Sequence, residues 1–341
     1  MRTADSSGEA PLKRADKVVG SGRTRPSGAE AAISRYALAV NSRIVGGLIA
    51  VALIVAACGG SAPPASPDAT PSAAGGPSVI PYIVTLEQAV GPNRLLFTLL
   101  DPDTNTPVAA PDRPVSVAFT DPAGVAGTAM EAPFIWAIED SRGVYVVKPT
   151  FGSAGTWKAA FTTAGATGAP ETIVVSFDVR EDGTTVAVGE QAPSVKTPTL
   201  ADVGGNVAAI STDKEPTSAF YERSVDELLA AKTPFVLVFA TPKFCTSAQC
   251  GPTLERVKAV AAQRPDFTIV NVEPYELDFT DGALQARRDA NGQLQAVPAS
   301  DAYGLVTEPW IFVIDGSGTV TASLEGIFTD EELLGAIDAA T

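Results

Sequence analysis

The sequence predicts two folded modules in series, an all-β sandwich followed by an α/β domain. Three observations carry that expectation. From Val79 to about Asp182, apolar residues recur with a period near two, broken by turn signals about every ten residues. From Phe235 onward, continuous apolar runs alternate with segments of helical period. Between them lies a Pro-rich stretch with neither pattern. At 341 residues the chain is long enough for two separate cores.

The first module should consist of seven short strands: Val79–Leu86, Arg94–Leu100, Val115–Thr120, Phe134–Glu139, Val144–Phe151, Thr156–Thr162 and Ile173–Val179. Turns are expected at Gly91-Pro92-Asn93, Asp101-Pro102, Asp121-Pro122-Ala123-Gly124, Asp140-Ser141-Arg142-Gly143 and Gly152-Ser153-Ala154-Gly155. Strand number and turn spacing suggest a sandwich of immunoglobulin type over residues 79–182. The segment GVYVVKPTFGSAGTWKAAF resembles the closing hairpin of small Ig-like domains of bacterial secreted proteins, which implies that Tyr145 and Trp157 are core residues. The module contains neither Cys nor His, so it has no inter-sheet disulfide and no His-based copper site. Its acidic residues lack the spacing of a calcium loop and read as solvated surface.

Residues 183–220 read as an extended lead-in to the domain at 221–341. SVDELLAAKTPF suggests a short helix with Ser224 at its cap. FVLVFA (Phe235–Ala240) reads as a strand buried on both faces. GPTLERVKAVAAQRP reads as a helix with Leu254, Val257 and Ala261 on one side and a stop at Pro265. DFTIVNVEP (Asp266–Pro274) is a second buried strand, and Leu277–Gly304 reads as irregular. PWIFVIDGSGTVTASLEG forms two strands about a turn at Gly316-Ser317-Gly318, and TDEELLGAIDAA a helix starting at Thr329.

Two of the three cysteines lie in FATPKFCTSAQCGPTLERVK, between the first buried strand and the first long helix. This segment, the βαβ–hairpin–α order and LVTEPWIFVID downstream together resemble the thioredoxin fold. The resemblance covers roughly Gly189–Thr341 and is closest to bacterial secreted thioredoxin-like proteins with a C-x4-C segment. It implies that Cys245 and Cys250 are a redox pair, with Cys245 the nucleophile. It also implies that Pro309 is the cis-proline facing them and, with Glu308 before it, contacts a substrate chain.

The sequence departs from that pattern in three ways. Four residues separate the cysteines where the family has two, so in one regular helix they would lie about 140° apart. They can pair only if Thr246 to Gln249 form a loop. In a second register Cys250-Gly251-Pro252-Thr253 mimics C-G-P-C, which would make Cys250 the nucleophile. No carboxylate stands in FVLVFA, where the family's buried acid falls near Leu237, and Glu308 is the one acid the pattern brings near the pair.

The remainder bears on compartment. Residues 1–43 carry eight Lys/Arg against four acids, and Ile44–Ala57 is an uncharged apolar run. A membrane span needs about 20 residues, so this run suits the apolar core of a signal peptide better. It ends in Val55-Ala56-Ala57-Cys58, which resembles a bacterial lipobox and implies lipidation of Cys58 after removal of residues 1–57. Residues 59–78 are rich in Pro, Ser, Ala and Gly with one charge, Asp68, and read as a flexible tether. The expected location is the extracytoplasmic face of the cell membrane, held there by lipid.

Residues 58–341 carry 16 Lys/Arg against 35 acids, a net −19, which excludes a phosphate-neutralising surface and hence nucleic-acid partners. The chain has no His, so Ser-His-Asp chemistry is excluded and tetrahedral zinc lacks ligands. Two-coordinate Cu(I) between the thiolates is the one metal chemistry left open, and no metal or cofactor is expected. The functional expectation is a thiol–disulfide oxidoreductase whose partners are protein thiols and disulfides. The alternative is a non-catalytic binding or scaffold lipoprotein with a structural Cys245–Cys250 disulfide, the ordinary state of two nearby cysteines in an oxidising compartment.

Overall fold

The computed structural model describes residues 76–341. The signal segment, Cys58 and most of the tether lie outside the described residues. The first strands are β1 (Ile80–Ile83), β2 (Gly91–Pro92), β3 (Leu95–Leu100), β4 (Ser116–Thr120) and β5 (Met130–Glu131). They are followed by β6 (Phe134–Ile138), β7 (Arg142–Val147), β8 (Thr150–Phe151), β9 (Gly155–Ala164) and β10 (Pro170–Val179). Two four-stranded antiparallel sheets form, in the orders β1-β3-β7-β6 and β10-β9-β4-β5. This is a β-sandwich. Gly91-Pro92, expected as part of a turn, instead pairs with Thr150–Phe151 as a small second ribbon.

Alternation explains the packing of one sheet. In β9, Trp157, Ala159, Phe161 and Thr163 point inward while their neighbours face out. They meet Leu95, Phe97, Leu99, Tyr145 and Val147 from the opposite sheet. Tyr145 satisfies its hydroxyl on the carbonyls of Ala110 and Arg113, at 3.1 and 2.9 Å, and the Trp157 indole N–H donates to the Ser153 carbonyl at 2.9 Å. Both aromatic rings can therefore be buried without an orphaned polar atom.

The second sheet lacks this alternation. Leu95 through Leu99 are all buried, as are Gly143 through Val147. Its outer face carries Leu96, Ile135, Val144 and Val146, which pack with Ile327 from the C-terminal part of the chain. The LLFTLL run lacks alternation because both of its faces are covered, and its one polar member, Thr98, donates its hydroxyl to the Gly143 carbonyl at 3.1 Å.

The C-terminal part comprises α1 (Val225–Ala230), β11 (Phe235–Phe239), α2 (Cys250–Gln263), β12 (Thr268–Val272), β13 (Leu277–Thr280) and β14 (Ala283–Ala286). Then come α3 (Pro298–Ala302), β15 (Trp310–Ile314), β16 (Val320–Glu325) and α4 (Asp330–Ala339). The sheet order is β12-β11-β15-β16, with β11 parallel to β12 and antiparallel to β15. Every residue of β11 is buried. Val236, Val238, Ile311 and Val313 face α2 and α4, while Phe235, Leu237, Phe239 and Phe312 face α1, α3 and Tyr303. Each such side chain removed from water contributes about 1.5–3 kcal/mol.

Local sequence sets the helix ends. The Ser224 N–H donates to Glu227 Oε2 at 3.2 Å, and Thr329 Oγ1 accepts the Glu332 N–H at 3.1 Å. The stretch Leu277–Gly304 corrects the expectation of irregular chain, since it holds the β13–β14 hairpin and α3. Gly304 is required where it stands: its φ is +64°, and a Cβ there would lie 1.7 Å from the Thr184 carbonyl oxygen.

A buried clamp joins sandwich and C-terminal sheet within one compact unit. Arg94, preceding β3, makes a bidentate pair with Glu332 of α4 at 2.9 and 2.8 Å. Its guanidinium also donates to the Ile327 carbonyl at 2.5 Å, and Lys148 reaches Glu332 Oε1 at 2.9 Å.

Candidate functional site

The disulfide site sits where β11 runs out. Five buried apolar residues end at Phe239, and Thr241 to Gln249 form a loop before α2 begins at Cys250. Ala248 adopts a left-handed backbone, φ +61°, which turns the chain back toward the helix. This excursion lets the cysteines meet: Cys245 and Cys250 are joined in a disulfide with Cα atoms 6.0 Å apart, within the ordinary range for such a bond.

The two sulfurs have different surroundings. Cys250 is the first residue of α2 and is fully buried, while Cys245 is partly exposed. The helix N-terminus thus belongs to Cys250, as in the second register, and not to Cys245. Its field still reaches Cys245, because the Cys250 N–H donates to Cys245 Sγ at 3.2 Å. The Ser247 hydroxyl stands 3.4 Å from the same sulfur. The Cys250 N–H contact, with the helix dipole, favours negative charge on a reduced Cys245.

Glu308 holds the loop from below. Its carboxylate accepts the Thr246 N–H at 2.7 Å and the Thr246 hydroxyl at 2.8 Å on one oxygen, and the Tyr275 hydroxyl on the other. Burial and the adjacent Glu308 carboxylate push the Tyr275 phenol well above its ordinary range. The Ser247 hydroxyl donates to the Glu308 carbonyl at 2.9 Å. The Glu308–Pro309 peptide bond is cis.

Glu308 and Pro309, expected to contact a substrate chain, lie directly beside this loop. Glu308 is 3% exposed and Pro309 is buried. With the disulfide formed, the loop at residues 246–249 lies against the proline segment, and its Ser247 hydroxyl occupies the Glu308 carbonyl. Cys245, Cys250 and Glu308 place one donor atom each within 4.8 Å of one another. The sulfurs bond to each other and the carboxylate is engaged by Thr246 and Tyr275, so the oxidised site offers a metal no free thiolate.

Sequence reading missed Thr246, Ser247 and Tyr275 as site residues, and it missed a second buried acid. Glu273 follows β12 and is 8% exposed. Burial pushes its carboxyl up to about 7, against the opposing pull of Thr241 and Thr212. A signal was present: in TIVNVEPY, Asn271, Glu273 and Tyr275 recur at every second position of an otherwise apolar run. Among the described residues, no helix is long and apolar enough to cross a membrane.

No protein-family model matches this chain, and no curated protein does. Solved structures with some likeness include CopC from Methylosinus trichosporium OB3b, with 12% identity and a TM-score of 0.20, covering 30% of this chain and 97% of that one. The PmoD soluble domain from Methylocystis sp. ATCC 49242 (Rockwell) shares 16% identity, covering 31% of this chain and 93% of that one, at a TM-score of 0.21. A DUF4426 family protein from Pseudomonas aeruginosa PAO1 shares 8% identity, covering 27% and 77%, at 0.20. At these scores the likeness carries no argument about activity.

Proposed function

We propose that the chain is a lipid-anchored, extracytoplasmic thiol–disulfide exchange protein with a thioredoxin-like C-terminal domain, acting on protein thiols and disulfides through Cys245 and Cys250. The observation that carries this reading is the asymmetry of the pair. Cys245 offers a partly exposed sulfur beside the N-terminus of α2, and Cys250 is buried behind it. In the reduced state, the Cys245 thiolate attacks a substrate disulfide and expels one substrate thiolate. Cys250 then attacks the mixed disulfide at Cys245 and expels the second. Two electrons pass to the substrate and the Cys245–Cys250 bond reforms. An external dithiol reductant restores the pair in two steps: one thiolate attacks Cys245 Sγ and expels Cys250 at the helix N-terminus, and its second thiolate attacks the resulting mixed disulfide, expels Cys245 and leaves the reductant oxidised to a disulfide.

The test is thiol trapping of the two cysteines in intact cells, with and without added reductant. A cycling pair gives a mixture of reduced and oxidised forms that shifts with reductant, and Cys250→Ser accumulates mixed disulfides through Cys245. A pair found fully oxidised under every reducing condition sinks the proposal.

A second reading has its own observation. The loop is bonded to Glu308 through Thr246 and Ser247, which suits a disulfide that holds structure. In that case replacing both cysteines by alanine leaves partner binding intact. The expected stability loss is about 2 kcal/mol, from loop-closure entropy for so short a loop, read as a lower melting temperature.

A further inference from the structure

A cavity of about 220 Å³ runs beside β12, the edge strand of the C-terminal sheet, apart from the cysteines. Most of its wall is apolar, including Ile210, Leu277, Leu284 and Val297. Two lining side chains from the same face of the β12 run are polar and deeply buried: Asn271 at 2% exposure and Glu273 at 8%. Each has half of its hydrogen bonding met. Asn271 Nδ2 donates to the Tyr221 hydroxyl at 2.8 Å, and Glu273 Oε1 accepts the Thr212 N–H at 2.6 Å. Asn271 Oδ1 and Glu273 Oε2 have no partner among the described residues.

Buried polar atoms are nearly always satisfied, and leaving one unmet costs about 1–3 kcal/mol. Asn271 Oδ1 is an acceptor, and so is Glu273 Oε2 when the carboxyl is ionised. What completes the site must therefore bring donors and no acceptors, together with an apolar body for the remaining wall. Acidic groups on the wall, Glu273 and Glu276, outnumber its one cation, Lys196. An ammonium group has three donors, no acceptor and the matching charge.

We propose that this cavity is a binding site for a short-chain primary ammonium ion, its head on Glu273 and Asn271 and its alkyl chain against Leu277, Leu284 and Val297. The proposal is independent of the redox reading. Binding to the folded state raises stability with ligand concentration and gives Glu273 Oε2 the donor it lacks.

The experiment compares three probes of one size on the full chain: n-butylammonium, n-butanol and n-butyrate, at matched ionic strength. Thermal melting and titration calorimetry are the readouts. Butylammonium is expected to raise the melting temperature progressively, with butanol and butyrate inert. Glu273→Gln, which keeps the shape and removes the charge, should weaken butylammonium roughly tenfold to a hundredfold. Leu284→Trp, which fills the apolar end, should abolish binding and serves as a second variant if Glu273→Gln folds poorly. No response to butylammonium in the unaltered chain overturns the proposal. So does an equal response to butanol or butyrate, or an affinity unchanged in both variants.

Discussion

Replacing Arg94 by alanine is expected to lower the unfolding free energy by about 3–5 kcal/mol and to separate one thermal transition into two. The Arg94 side chain is 9% exposed and its partner Glu332 13%, so the pair is well removed from water. Deleting the guanidinium leaves the Glu332 carboxylate with Lys148, which is itself 64% exposed. It also strips a donor from the Ile327 carbonyl, beside the side chain that packs on Leu96 and Val146. Lys148→Ala is the control, with an expected cost under about 1 kcal/mol because an exposed ion pair is screened. Denaturant unfolding of the two variants gives both numbers. An Arg94→Ala loss no larger than that of Lys148→Ala would show that the modules are held by apolar contact alone.

The same pair sets a pH signature. Burial by itself would raise the Glu332 carboxyl, but Arg94 and then Lys148 outweigh it and hold it below the ordinary 4.5. A carboxylate held low contributes stability that is full above its unfolded value and is lost as pH falls through the folded one. The difference between the unaltered chain and Arg94→Ala should therefore shrink as pH falls below the ordinary carboxylate value of 4.5.

Glu308→Ala should cost about 3 kcal/mol, from hydrogen bonds to one carboxylate lost together. Thr246 loses the acceptor for both its N–H and its hydroxyl, and Tyr275 loses that for its phenol. Glu308→Gln keeps one acceptor oxygen and should cost about 1 kcal/mol. A second readout separates anchoring from general destabilisation. With the loop released, reduction of Cys245–Cys250 by dithiothreitol should quicken in Glu308→Ala well below its melting point. A reduction rate equal to that of the unaltered chain would remove Glu308 as the anchor of the loop.

The sandwich was legible because alternation leaves a clear trace: six of its seven expected segments coincide with one strand each. The seventh, Val144–Phe151, is split into β7 and β8. Where two faces are buried, the trace is ambiguous. LLFTLL names a strand but not what covers its second face, and nothing local in the sequence couples Leu96 to Ile327, 231 positions away. The site was legible in its covalent pair and in the placing of Glu308 near it. Its internal wiring was not, because Thr246 and Ser247 are ordinary loop residues until tertiary structure brings Glu308 beneath them. Tyr275 and Glu273 belonged to a run read for its apolar members, although their spacing already put them on a single face.

Coverage of the sandwich's outer face has a consequence for how such a chain can be altered or recombined. A graft of the C-terminal domain onto another carrier would expose Ile327 and leave Glu332 without its bidentate partner. The sandwich taken alone would present Leu96, Ile135, Val144 and Val146 to solvent, an adhesive surface. Neither half is therefore an interchangeable cassette. A working transplant must carry Arg94 and that apolar patch with it.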